Sequence, residues 1–124
     1  MPTRQVVSAL ILFAAVLAGA LGSAGPAAAA DGAKVFNLQC RTCHAVKSSV
    51  AGPSVHGVAG RKIAGLPDFA YSAALKAKSG VWTDAALDAY LAAPSKFAPG
   101  GRMITALASR ADRAAVIAYM KTLK

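Results

Sequence analysis

Both cysteines of the chain, Cys40 and Cys43, fall in one short stretch, QCRTCHAV at 39–46, and His44 directly follows the second. Two thiols three positions apart lie on one side of a single helical turn, with the histidine projecting beside them. The pair allows one disulfide at most, whereas small exported domains commonly carry several. Something other than a disulfide framework therefore has to hold this chain together.

Residues 1–30 differ from the rest. Arg4 precedes a long apolar run at 6–25, and small residues follow at Ala28-Ala29-Ala30. This pattern predicts an export leader removed after Ala30. The run is also near the length that spans a bilayer, so an uncleaved anchor is the rival reading. On either reading one domain is expected over 31–124, outside the cytoplasm. It holds 13 Lys and Arg against five Asp and no Glu, a net charge of +8. That balance suits acidic protein partners or anionic membrane surfaces. The exported location argues against nucleic acid, as does the lack of a Lys/Arg run with interleaved aromatics. A domain this short buries a modest share of its surface, and this one is rich in alanine. Its core needs an additional filler.

Cap and turn signals predict helices separated by loops, with no strand pattern and no internal repeat. Asp31 is a candidate cap for a first helix through about Cys43, with Phe36 and Cys40 on one face. Gly52, Pro53, Gly57, Gly60, Gly65 and Pro67 mark 45–68 as loop. YSAALKAKSG at 71–80 reads as a short helix stopped at Gly80. Thr83 caps the next helix, Asp84 sits in its first turn and Pro94 ends it. Residues 95–107 read as loop. Ser109 and Asp112 form a capping pattern for the last helix, whose buried face is Val116, Tyr119, Met120 and Leu123. Long Gly/Pro-rich loops in so small a unit usually wrap something or do something.

Cys-x-x-Cys-His is the signature of c-type haem attachment. The two thiols can reach the two vinyl groups on one side of a porphyrin, and the imidazole then reaches the iron. A covalent cofactor cannot diffuse away outside the cell, and it would fill the missing core. Three other readings compete. A redox-active Cys-x-x-Cys suits an oxidising compartment, but the strand–helix alternation of the thioredoxin type is missing. Cys40, Cys43, His44 and His56 are zinc-type donors, but the neighbours Cys43 and His44 can hardly share one tetrahedral ion. A plain disulfide leaves His44 without a role.

With His44 on one side of the iron, the other side is open or taken by a second donor. His56, Met103 and Met120 are the candidates. Met120 belongs to the apolar face of the last helix and reads as core. His56 follows His44 within a short loop and has little reach. Met103 follows the stiff Pro99-Gly100 turn and has no helical face to fill. Its thioether suits haem iron and raises the potential. A methionine plugging a gap beneath the loop is the plainer alternative.

Taken in order, these residues resemble the class I cytochromes c, the small monohaem carriers of bacteria and mitochondria, over nearly the whole of 31–124. Gly32 and Phe36 precede Cys-x-x-Cys-His at the family's spacing, Tyr119 lies on the last helix, and GPSVHGVAGRK at 52–62 resembles the family's Gly-Pro…Gly-Arg loop. The resemblance implies an all-α small cytochrome c fold, with about four helices and long loops wrapped around one covalently attached haem c. It implies that Cys40 and Cys43 attach the haem and that His44 and Met103 ligate the iron. The Pro53 carbonyl would accept the proton on the non-ligating nitrogen of His44. By the same resemblance Tyr71, Ser72 and Trp82 lie at a haem propionate with Arg61 nearby, and Tyr90 contacts the sulfur of Met103. Three positions depart from the pattern: Gly101 where threonine is usual, Leu75 for asparagine, and Gln39 for lysine. They bear on potential and docking rather than on the fold. Apart from the resemblance, Tyr90, Tyr119 and Trp82 read as packing residues. Arg61, Lys34, Lys96 and Arg102 likewise read as solvated charges.

The expected function is single-electron transport in the periplasm by a monomer that is not an enzyme. Basic residues would steer it to acidic docking sites on respiratory or photosynthetic membrane complexes, or on periplasmic redox enzymes. Peripheral contact with a membrane fits the same charge. Two other classes stay open at this point: a haem peroxidase or ligand sensor with an open sixth site, and the haem subunit of a periplasmic oxidoreductase.

Overall fold

The computed structural model describes residues 25–124. The expected leader lies outside these residues up to position 24, and its expected boundary after Ala30 falls inside the first helix. The helices are α1 (Pro26–Gln39), α2 (Ala73–Lys76), α3 (Asp84–Ala92), α4 (Pro94–Phe97) and α5 (Arg110–Met120). Extended pairing among the described residues is confined to two isolated antiparallel contacts, Ser49 with Gly52 and Lys62 with Val81. The architecture is the all-α one that the resemblance implied, although α2 and α4 are single turns.

Each boundary has a local cause. Gly25 is the N-cap of α1 and Pro26 its first residue, so Asp31 sits inside the helix instead of capping it. Proline is tolerated there because first-turn N–H groups lack helical partners anyway. Asp31 pairs instead with Lys34 at 3.6 Å on the exposed surface, a contact of little energetic weight. α1 stops at Gln39, short of Cys43, because the N–H groups of Cys40 and Arg41 both turn back to the Phe36 carbonyl. Ser72 caps α2, which ends at Lys76 rather than at Gly80. Gly80 has φ +93° and serves the turn into the pairing at Val81. Thr83 caps α3 by accepting from the Ala86 N–H. Pro94 opens α4 within a stretch expected to be loop. A single turn leaves no periodicity to read. Ser109 caps α5 by accepting from the Asp112 N–H.

The terminal helices cross at Gly32. A Cβ there would lie 1.9 Å from the Ala115 carbonyl oxygen and 2.9 Å from the Tyr119 Cβ, so only glycine permits the approach. One turn on, Phe36 meets Tyr119 with ring centroids 5.4 Å apart. On α5, Val116 and Met120 are buried and Tyr119 packs half-buried against the core, while Leu123, expected on this helix, lies past its end at Met120 and is also half-buried. Ile117 is buried as well. Arg113 ties α5 to α3 through a 2.7 Å bond from Nε to Asp88, and its Nη1 donates to the carbonyls of Leu107 and Ala108.

Gly32→Ala should cost about 3 kcal/mol or more, because two backbones must separate to admit one methyl. Gly57→Ala meets nothing within 4 Å and has only its φ of +68° to overcome, which should cost about 1 kcal/mol. Denaturant midpoints of the two variants check this. Equal shifts would mean that the helices do not cross so closely.

Candidate functional site

α1, α2, α3, α5 and both long loops enclose a cavity of about 240 Å³. Its inner wall is apolar, with Phe36, Val55, Leu75, Leu87, Leu91 and Val116 facing it. The cavity is partly open to solvent, and an apolar wall of this extent suits an apolar occupant. Val50 and Ile104 also line the cavity, yet they are 98% and 83% exposed. Apolar side chains left open at a rim are what a bulky apolar group covers.

Cys40, Cys43, His44, Arg61, Tyr71, Trp82, Tyr90 and Met103 all line this one cavity. Met120 lines it from the buried face of α5. His56 does not; its Nδ1 lies 3.1 Å from the Lys124 carbonyl oxygen.

The cysteines sit just past α1. The N–H groups of Cys43 and His44 donate to the Cys40 carbonyl at 3.1 and 2.9 Å, which winds one further turn. Both thiols are free, and burial pushes the Cys40 thiol pKa up. A redox-active pair needs the opposite shift, toward thiolate. With His56 turned to the C-terminal residue, the zinc reading also fails: no group of three or more His, Cys, Asp or Glu among the described residues could hold a metal ion.

His44 Nδ1 lies 2.8 Å from the Pro53 carbonyl oxygen. A carbonyl can only accept, so Nδ1 carries the proton and the lone pair of the neutral ring is on Nε2. Gly52 lets the loop come this close. A Cβ there would stand 2.7 Å from the Cys43 carbonyl oxygen and 3.2 Å from the His44 ring. In the sequence Gly52 marks a loop and opens the Gly-Pro stretch, but its close approach to Cys43 and His44 leaves no local signal.

Arg61 is placed by pairing with Trp82. The Trp82 N–H donates to the Arg61 carbonyl at 2.8 Å, and the Gly60 N–H donates to the Trp82 carbonyl at 2.9 Å. The Arg61 guanidinium donates to the Ser54 and His56 carbonyls at 2.9 Å each. Its Nε is buried and has no partner among the described residues. An unpaired guanidinium donor on a cavity wall suits an acceptor in the cavity, an anionic one best. Tyr71 meets Phe69 edge-on at 4.9 Å, and its hydroxyl accepts weakly from the Leu66 N–H at 3.4 Å. The Ser72 hydroxyl oxygen is engaged as the α2 cap, accepting from Leu75.

Trp82, Tyr90 and Phe97 form a three-ring cluster with centroids 5.1 to 5.7 Å apart. Phe97 carries no signal in the sequence, because the one-turn α4 that holds it has no periodicity to read. Burial raises the Tyr90 pKa, so its hydroxyl keeps its proton and remains a donor. Met103 is half-buried in the loop between two backbone anchors, Gly101 N–H to Ala98 O and Leu107 N–H to Leu91 O, both 2.8 Å.

Two thiols, a free imidazole nitrogen, a thioether, an orphaned guanidinium nitrogen and an apolar void fit an iron porphyrin with acidic side groups. The comparisons agree. The family model for cytochrome c matches residues 29–124. Cytochrome c type-1 of Ascaris suum is 44% identical over 94 residues, covering 73% of this chain and 84% of that protein. Cytochrome c-type cyt cy of Rhodobacter capsulatus is also 44% identical over 94 residues, covering 74% of this chain and 47% of that longer protein. The solved structure of cytochrome cH from Methylobacterium extorquens superposes with a TM-score of 0.71 at 36% identity, covering 76% of this chain and 97% of that one. The chain belongs to the cytochrome c family and carries one covalently attached haem c.

Proposed function

We propose that this chain is an exported one-electron carrier, with haem attached at Cys40 and Cys43 and iron ligated by His44 and Met103. The observation that carries this reading is the His44–Pro53 hydrogen bond, which leaves Nε2 as a ligand on the cavity that Met103 also lines. When bound, the haem supplies a ferrous/ferric couple.

The chain's own residues set the terms of that couple. Pro53 holds the His44 proton on Nδ1 and fixes the ring. The Met103 thioether is soft and neutral, so it favours ferrous iron. The apolar wall excludes water and disfavours the extra positive charge of the ferric state. Arg61 Nε, with Tyr71 and Trp82, is assigned to a propionate, and the Tyr90 hydroxyl to the Met103 sulfur. With His44 and Met103 both holding the iron, substrate would have no place on it, which would separate a carrier from a peroxidase or ligand sensor. Removal of the leader after Ala30 would leave 31–124 as a periplasmic domain. Its charge of +8 suits acidic docking surfaces on membrane complexes or periplasmic redox enzymes.

His44→Ala should abolish normal haem maturation, and Cys40→Ala or Cys43→Ala should leave at most one thioether bond. Met103→Ala should remove the weak red-end absorption band of methionine ligation and open the iron to added ligands. Met103→His should keep six-coordinate haem but lower the potential. Met120→Leu should keep the band and cost less than about 1.5 kcal/mol. The ligand assignment fails if Met120→Leu removes the band and Met103→Ala leaves it.

Electron transfer to an acidic partner should slow as salt rises through about 0.1 M, where the Debye length is about 10 Å. Lys96→Glu, near the Met103 loop in sequence, should slow it more than Lys124→Glu. Equal effects in stopped-flow measurements would rule out docking near that loop.

A further inference from the structure

The loop that carries Met103 is thinly held. Between its anchors at Gly101 and Leu107, residues 102–106 make no backbone hydrogen bond among the described residues. Ile104 within it is 83% exposed. Nothing in the loop's own backbone resists its swinging away from the cavity.

One side chain crosses the gap. Arg102 Nη2 donates to the Ala70 carbonyl, and the guanidinium carbon lies 5.1 Å from the centroid of Phe69. Phe69 is in turn braced edge-on against Tyr71 at 4.9 Å. Arg102, Phe69 and Tyr71 all border the haem cavity, and Arg102 with Ser49, Asp68 and Phe69 borders a second cavity beside it.

We propose that Arg102 is a positioning residue, a latch that pins the Met103 loop to the 69–71 segment and so keeps the thioether on the iron. This rests on Met103 being the sixth ligand. The chemistry suits arginine in particular. A planar guanidinium can lie over a ring while one of its N–H groups donates sideways to a carbonyl. An ammonium group lacks the plane. The latch closes from the loop's own side and links it to a segment more than thirty residues earlier in sequence. Its release frees Met103 without unfolding α3 or α5, because the anchors at Ala98 and Leu91 lie outside it.

An external ligand reads the latch directly. Its apparent affinity for the ferric iron scales with the fraction of molecules in which the loop has opened. Imidazole is titrated into the ferric holoprotein while the methionine band is followed. Arg102→Ala should tighten the apparent imidazole affinity about tenfold, equivalent to about 1.4 kcal/mol. Phe69→Ala should tighten it about threefold, and the double variant should fall short of the product because the two share a contact. Arg102→Lys should restore wild-type behaviour only in part. Lys96→Ala, a nearby cation without these contacts, should change affinity less than about twofold.

The latch is overturned if Arg102→Ala leaves imidazole affinity unchanged. It is equally overturned if Lys96→Ala matches Arg102→Ala or if Arg102→Lys restores wild type fully, since charge alone would then be responsible. If Met103→Ala leaves the band intact, the ligand reading itself fails and takes the latch with it. A band abolished by Met103→Ala with no response to Arg102→Ala removes the latch alone.

Discussion

Everything in this fold hangs on the contact between Gly32 of α1 and the Ala115 carbonyl of α5. A small domain with one cysteine pair and few large side chains cannot afford a loose helix crossing. With no Cβ at Gly32 the two backbones touch, and Phe36 and Tyr119 then interlock one turn further on. The crossing also fixes where α1 ends. The turn that carries Cys40, Cys43 and His44 is thereby held over a cavity whose far wall includes Val116 and Met120 of the same α5. Helix packing and cofactor placement are one event in this chain.

The loops then complete what the helices begin. The segment after His44 folds back through Gly52 so that Pro53 can take the imidazole proton. The next stretch pairs with 80–82 and delivers Arg61 and Trp82 to the wall. Arg61 spends two of its nitrogens on loop carbonyls and leaves the third for the occupant. Loop geometry and cofactor recognition are thus joined in a single side chain.

What could be read in the sequence was whatever is local. Cys-x-x-Cys-His carries its chemistry in its spacing, and Thr83 and Ser109 are caps whose partners lie three residues away. Cys40, Cys43, His44, Arg61, Tyr71, Trp82, Tyr90 and Met103 line one cavity, in the chain order that resembles a known pattern, whereas His56 does not. α1 starts before Asp31, the cap expected from the sequence, because an alanine run with proline at its head supports a helix without a polar cap. α4 was invisible because one turn has no period. The clasp of Arg102 on Ala70 and Phe69 and the reach of Gly52 toward His44 join distant or tightly folded pieces of chain. No single-residue signal announces such contacts.

Among the described residues no polar or charged residue is fully buried, and Leu75 fills a cavity position where the related pattern has an amide. The apolar side chains of the cavity wall carry no dipoles that could turn, while Arg61 and Ser72 on it are held by hydrogen bonds. When the centre gains or loses one charge, little of the protein has to rearrange to accommodate it. On the proposed role as a carrier, such a wall would keep the reorganisation barrier for an exchanged electron small. The sparse, alanine-rich interior that makes this chain depend on its cofactor for a core also leaves little around the cofactor that would have to move when its charge changes.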